Sequence, residues 1–269
     1  MSTPATIIIR DIETLAEMRA VEQLQREIWG VADLEVLPAL ALKPLKEVGA
    51  ILIGAFDGDR MVGFVFGFPG ILNDETIIHS DMLGISEAYR SNNLGYLLKC
   101  AQRDAAIALG VERITWTFDP LQSRNAHFNF NKLGVISDRY YVDYYGVTSS
   151  FLHRTGTDRL WVTWLLKSER VVSRLEGINP RIPSSEIDQL PRLVRVGGNL
   201  EPTVGDGLIG EPQLVIEIPG ELNASAERWR EVTREAFTSA LNAGYVVADF
   251  YVSDDRSVGG YLLVQDLPD

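Results

Sequence analysis

The chain has 269 residues, 46% of them hydrophobic and 23% charged, with a net charge of −12, the profile of an ordinary globular protein that can bury a core without disulfides. The acidic balance argues against a nucleic-acid partner, which needs clustered Lys and Arg, although one locally positive loop is enough for a small anion. A lone cysteine (Cys100) and three scattered histidines (His79, His127, His153) leave no basis for a disulfide or a metal centre.

No apolar run approaches the roughly 18–20 residues of a membrane span. The start "MSTPATIIIR" is too short and polar for a signal peptide, so the cytoplasm is the expected compartment. "TIIIR" then reads as a strand, and Leu15, Met18, Val21, Leu24 and Ile28 recur at helical spacing until Gly30. A second helix is expected over 39–48 despite Pro44. Two apolar runs around Asp57-Gly58-Asp59 predict a hairpin, and "TIIHSDMLGIS" predicts another strand. A helix follows to about Leu109, with Leu94, Leu98, Ala101, Ala105 and Ala108 as its apolar stripe. "RITWTFDP" alternates as a strand, "SRNAHFNFNKLG" reads as a short helix, and "DRYYVDYYG" and "DRLWVTWLL" as two strands.

From Lys167 the texture becomes charged and proline-bearing, as in a linker over about 168–190. Strands at "RLVRV", "QLVIEIP", "YVVADFYV" and "GGYLLVQ", with a helix near 224–243, complete a smaller α+β unit. The expected organisation is an α/β domain over 1–167, with a mixed, partly parallel sheet flanked by helices, followed by a C-terminal region over 168–269. Three roles are open to that region: pairing of subunits into a homodimer, closure over a substrate, or extension of the sheet.

The stretch "YRSNNLGYLLK" (89–99) closes a strand and opens a helix. Successive backbone N–H groups there form a concave nest, to which the helix dipole adds positive character, and a pyrophosphate suits it. The plain alternative is a turn capped by Ser91 or Asn92. Asn93 stands where an Arg-x-x-Gly-x-Gly pattern would put its first glycine, and Asn tolerates left-handed backbone angles.

With its surroundings, "MLGISEAYRSNNLGYLLKCAQRDAAIALG", and with "SRNAHFNFNKLGV" further on, the chain resembles the GNAT superfamily of acyl-CoA-dependent N-acyltransferases over roughly residues 5–167. The run "WTFDPLQSRNAHFNFNKLG" with "DYYG" and "TDRLWVTWLL" is similar to a little-characterised branch carrying an extra C-terminal region. The resemblance implies that an acyl-CoA, acetyl-CoA or a larger one, is the cosubstrate, and that no metal is needed. It implies that Met82, Leu83, Gly84 and Ile85 pair with the pantetheine arm through a splayed strand, Gly84 easing a bulge or a close approach. Arg90 and the amides of Asn92, Asn93, Leu94 and Gly95 would hold the pyrophosphate, and Asn125 would contact the pantetheine.

Acyl transfer needs a base for the ammonium and stabilisation of the thioester oxygen. Strict alternation puts His79 and Asp81 on one strand face, where relatives often carry that base, so both are candidates beside a structural role. The tyrosine that usually protonates the departing thiolate is replaced by Phe130. Either a tyrosine of "YYVDYY" substitutes, or the thiolate leaves unaided. Asp119, at a strand end, is a candidate for the acceptor ammonium, against plain loop capping. His153, Arg154 and Arg159, in and after the loop "SSFLHRTGT", are placed to grip a carboxylate, against a solvated Asp158–Arg159 pair.

The leading expectation is therefore an N-acyltransferase moving acetyl, succinyl or a related group to a small-molecule amine, an amino acid included. The alternative is a catalytically silent acyl-CoA sensor, and acylation of a protein side chain is a third reading.

Overall fold

The computed structural model describes residues 7–90, 93–178, 184–222 and 224–267. The fold is mixed α/β, and by contact it divides into two units. One comprises the residues up to Trp116 with Val147–Arg154, the other Thr117–Gly146 with Thr155 onward. These units are cut differently from the domains expected at 167, because 117–146 and 155–167 group with the C-terminal residues.

In the first unit, β1 (Ile7–Asp11) leads to α1 (Leu15–Trp29). A capping box starts the helix: Thr14 accepts from the Glu17 N–H, and the Glu17 carboxylate accepts from the Thr14 N–H. Gly30 ends it in the left-handed region, φ 62°. Helix α2 (Ala39–Glu47) follows, with Pro44 inside it.

Strands β2 (Ile51–Asp57), β3 (Arg60–Leu72) and β4 (Glu75–Ile85) form an antiparallel meander with β1 on the outer edge of β2. Helix α3 (Leu94–Ala108) then crosses to β5 (Arg113–Phe118), which pairs parallel to β4. Met18, Val21, Leu24 and Ile28 of α1 and Leu42 of α2 pack on Leu52, Phe56, Phe64 and Phe66, one face of the meander.

Helix α3 covers the other face. Its expected stripe is rotated: the structure buries Leu94, Leu98, Lys99, Gln102 and Ala106, and leaves Ala108 exposed. Two polar side chains in the buried row are what the apolar periodicity missed.

The second unit opens with α4 (Ser123–His127), which runs into a π-helical turn over Phe128–Leu133. Then come β6 (Ile136–Tyr141), β7 (Arg159–Leu165), α5 (Glu169–Leu175) and α6 (Ser184–Ile187). The expected linker thus carries helix, and Ser168 caps α5 by accepting from the Val171 N–H. The chain ends through β8 (Arg192–Val196), β9 (Pro202–Val204), β10 (Gln213–Pro219), α7 (Ala226–Asn242), β11 (Val246–Val252) and β12 (Val258–Val264).

The strands lie in the order β7-β6-β11-β12-β10-β8-β9. Since β11 joins β6 at Val247↔Ser137, the C-terminal residues extend a sheet that β6 and β7 begin. Phe130, Phe237, Phe250 and Tyr261 form its aromatic centre, with edge-to-face contacts of 4.7–5.8 Å around Tyr261.

Candidate functional site

Strand β4 departs from regular pairing in two places. Opposite β3, Phe66 pairs with Met82 and Gly67 with Ser80, so Asp81 is an extra residue in a bulge. The bulge lies three residues before Gly84, the position where the sequence suggested one. On its other edge β4 meets β5 only at Ile78↔Ile114 and His79↔Thr115. Residues 80–85 run on beyond that pairing, an edge of the kind an extended ligand can pair with, although the Ile85 carbonyl there accepts from Arg90.

The bulge also shifts the alternation. His79 stacks on Phe68, and Met82, not an odd-numbered residue, packs with Phe68 against the α1–α2 core. Gly84 faces α1 so closely that a Cβ there would stand 2.8 Å from Ile28 and 3.2 Å from Phe64. A glycine is what lets this helix lie on this strand. Asp81, the extra residue, is exposed. The one-face pairing of His79 and Asp81 expected from strict alternation therefore has no basis once the bulge intervenes.

At the start of α3, Asn93 takes left-handed angles, φ 56° and ψ 14°, and its side chain makes no capping bond. Its carbonyl accepts from Tyr96 and Leu97. Among the described residues, no acceptor meets the N–H groups of Asn93, Leu94 and Gly95, which leaves first-turn donors of the kind an anion satisfies. Asn92, also expected in this nest, lies outside the described residues, as does Ser91. Leu94 is buried. A Cβ on Gly95 would meet only Leu83, at 3.8 Å, so the fold itself does not demand glycine there.

Beside this nest the first unit holds a cleft of about 310 Å³ lined by Ile28, Trp29, Leu83, Ile85, Arg90 and Phe151. Three of these (Leu83, Ile85, Arg90) were singled out in the sequence. Ile28 read only as part of the apolar stripe of its helix, and nothing in the sequence singled out Trp29 or Phe151. The Arg90 Nε donates to the Ile85 carbonyl at 3.4 Å, which folds the side chain over the end of β4.

Phe151 is held by a strap. Ala32 N–H donates to Ser149 Oγ at 2.7 Å, Ser149 N–H to Glu35 at 2.8 Å, and Ser150 Oγ to the Trp29 carbonyl at 3.0 Å. His153 contributes to that strap through Thr148, 2.6 Å from its Nδ1, and Arg154 beside it is exposed.

Beneath the bulge lies a buried polar cluster. Lys99 Nζ donates to Ser80 Oγ at 3.0 Å and to Gln102 Oε1 at 2.9 Å, and it sits 3.7 Å over the Trp116 ring. Burial pushes the Lys99 ammonium well below its usual range. His79 Nδ1 lies 3.0 Å from Thr115 Oγ1. Burial first, then the Lys99 charge, lowers its imidazole to about 4, so at neutral pH it is uncharged and a weak proton acceptor. The Asp81 carboxyl moves the other way: protein around it raises its affinity for a proton although its surface is open to solvent.

In the second unit, Asp119 is not available for a substrate ammonium. Arg230 of α7 donates to both its oxygens, at 2.7 and 3.0 Å, and Leu121 N–H donates to it as well. Neither partner of this pair was legible together, since 111 residues separate them. Arg159 is buried at the start of β7, lies over the Tyr145 ring and donates to the Asp158 carbonyl. The Asp158 carboxylate instead takes Arg234, at 2.8 Å from each oxygen. Arg159 is thus no solvated loop residue, and the Asp158–Arg159 side-chain pair is replaced by Asp158–Arg234. Asn125 is exposed on α4.

Phe130 is fully buried between Phe118 and Tyr261. The Tyr261 hydroxyl donates to the Pro120 carbonyl, and the Tyr140 hydroxyl donates to Asp158, each at 2.6 Å. Burial raises both phenols far above their usual range. Of the "YYVDYY" tyrosines, Tyr140 is therefore committed to the fold, whereas Tyr145 is largely exposed, 3.2 Å from Thr117 Oγ1.

Among the described residues no helix is long and apolar enough to cross a membrane. No family model and no curated protein matches the sequence. Solved structures to which the chain is similar include the ribosomal-protein-S18-alanine N-acetyltransferase from Escherichia coli, at 13% identity over 61% of this chain and 96% of that one, TM-score 0.47. NAA60 of Arabidopsis thaliana with acetyl-CoA is another, at 14% identity over 61% and 100%, TM-score 0.49. An aminoglycoside 6'-acetyltransferase of type Ii matches at 18% identity over 60% and 99%, TM-score 0.47.

Proposed function

We propose that this chain is an N-acyltransferase that moves an acetyl, succinyl or similar group from acyl-CoA to the amine of a small molecule, an amino acid among the candidates. One observation carries it. The β4 edge over residues 80–85 runs on beyond its pairing with β5 and leads to the amides of Asn93–Gly95, which meet no acceptor among the described residues. An extended pantetheine arm pairs with such an edge as a strand would, and the diphosphate takes the amides. The sequence resemblance to GNAT enzymes over the same residues points the same way.

In this reading Met82, Leu83, Gly84 and Ile85 hold the arm through backbone groups, and Arg90 adds charge. The amine nitrogen attacks the thioester carbon, the carbon–sulfur bond breaks, and coenzyme A leaves as thiolate. Backbone N–H groups of the open edge stabilise the oxyanion. Asp81 takes the ammonium proton: its carboxylate stands exposed at the bulge beside the open edge, and the protein around it raises its affinity for a proton. Phe130 supplies no proton to the thiolate, the one feature that favours a silent acyl-CoA sensor as second reading.

Gly95→Ala tests the binding half cleanly. Outside its own helix and among the described residues, the added methyl meets nothing closer than Leu83 at 3.8 Å, and it improves helix propensity by about 0.5–1 kcal/mol. Thermal stability should hold or rise, while calorimetry shows acetyl-CoA or succinyl-CoA binding weakened at least about tenfold. Unchanged affinity removes the diphosphate from this nest. Thiol release with a panel of amines then separates the readings: binding without any release leaves the sensor.

A further inference from the structure

We infer that the cleft between α1, β4 and the 147–154 strap selects a reactant carrying a bulky apolar group, aromatic or branched, next to an anionic group, and rejects polycationic amines. The inference rests on the acyl-transfer reading for its chemistry, but it stands on the cleft's own walls. Five of the six lining residues among those described are apolar: Ile28, Trp29, Leu83, Ile85 and Phe151. The sixth, Arg90, has no carboxylate partner among the described residues. None of the six is acidic, so a polyamine or aminoglycoside would be desolvated there without a counter-charge.

The volume of about 310 Å³ is on the order of ten water volumes, the size of an aromatic amino acid or a short branched chain and far below that of a peptide.

The cleft is built, not incidental. Phe151 stays 46% exposed, yet the Ser149 and Ser150 hydrogen bonds fix its backbone on the end of α1. Gly30 admits the ring: a Cβ at that position would stand 2.8 Å from Phe151. On the opposite side, Ser86 donates to Glu27 and its N–H to the Val62 carbonyl, which pins the end of β4 to α1. An aromatic ring held half bare at the mouth of an apolar slot is a surface prepared for another apolar group.

Two reactants offer that chemistry: an amino acid acceptor with an apolar side chain, or a thioester with a bulky acyl group. Two arms of one experiment distinguish them. The first measures thiol release from acetyl-CoA with phenylalanine, phenethylamine, glycine and spermidine. The second holds the acceptor and compares acetyl-CoA with isovaleryl-CoA and phenylacetyl-CoA. An added methylene in an apolar pocket changes kcat/KM by roughly 10–200-fold, so a preference of at least about tenfold for the bulky member is expected in one arm. Phe151→Ala, at a half-exposed side chain, should erase the preference by lowering kcat/KM for the bulky member at least about tenfold more than for glycine or acetyl.

If the acceptor is the source, Arg90→Gln raises KM for phenylalanine more than for phenethylamine. An equal shift for both, with a raised KM for the thioester, gives Arg90 to the coenzyme and overturns the anionic half of the inference. A preference for spermidine, or none in either arm, overturns the apolar half.

Binding without turnover keeps the two propositions apart. Phenylacetate, but not acetate or spermidine, should change the tryptophan fluorescence, and Trp29→Phe should abolish the change. If no acyl-CoA binds, the proposed function falls, and this titration still decides the cleft. No response to phenylacetate overturns the inference even where acyl transfer is found.

Discussion

Replacing Arg230 by methionine removes half of an ion pair that the second unit keeps almost dry. The guanidinium donates twice to Asp119, at 2.7 and 3.0 Å, with the two side chains only 5% and 9% exposed. Methionine fills similar length but gives the carboxylate no donor on that side, so only the Leu121 N–H still serves it. The Thr155 carbonyl loses its Arg230 Nε partner too. Hydrogen bonds to charged groups contribute roughly 1.5–3 kcal/mol each, and a stranded buried charge costs about 3–5 kcal/mol in total.

Arg230→Met should therefore destabilise the protein by about 3–5 kcal/mol, read as the shift in a urea unfolding curve followed by circular dichroism. Asp119→Leu alone strands the guanidinium and should cost a similar amount. The double variant strands neither, so it should be more stable than either single one, with a coupling energy of at least about 2 kcal/mol. A loss under about 1 kcal/mol for Arg230→Met, or single losses that simply add, would refute the idea that this pair is a dry, mutually dependent unit.

Gly30→Ala should cost about 1–2 kcal/mol, because φ of 62° is left-handed and the new methyl meets Phe151 at 2.8 Å; a denaturation midpoint equal to wild type would count against it. His79 is held at about 4 in the fold against 6.5 when exposed. As pH falls from 6.5 to 4 the unfolded chain binds the proton first, so stability drops over that window by up to roughly 3 kcal/mol and is fully present above it. His79→Gln should flatten that limb, and an imidazole NMR midpoint near 6.5 would rule it out. Asp81→Asn should slow acyl transfer about 10²–10⁴-fold with acyl-CoA affinity unchanged, and should remove the acid limb of the rate profile; a loss under tenfold assigns the base elsewhere.

The elements themselves were largely legible because each carries a local signal. The i, i+3, i+4 spacing of Met18, Val21, Leu24 and Ile28 fixes the buried side of α1, and all four are buried there with Gln25, while Leu15 at the first turn of the expected stripe is exposed. What escaped is non-local or aperiodic. Lys99 and Gln102 read as the polar side of α3, and only the neighbouring Ser80 shows why they face inward. Asp119 reads as a strand-end carboxylate open to ligands, since nothing in "FDPLQ" reveals that an arginine 111 residues later neutralises it. The linker expected over 168–190 reads as such from its prolines and charges, yet Ser168 and the run after it form a capped helix.

The bulge at Asp81 shows why period-2 reasoning fails at the place that matters. Before it, His79 shares the α1 face with Phe68, and Ser80 turns to Lys99 and Gln102. After it, Met82 and Gly84 take over the α1 face, and Leu83 turns to Gly95. One inserted residue thus lets both halves of β4 keep their apolar contacts while a carboxylate that belongs to neither face is left exposed. It falls just where β5 stops pairing. Deleting Asp81 should join Ser80 directly to Met82 opposite Gly67 and Phe66, so that every other side chain of β4 keeps its face and only the exposed carboxylate is lost. A regular β4 would be the simpler strand; the irregular one sets an exposed carboxylate beside the stretch of its edge that runs on past β5.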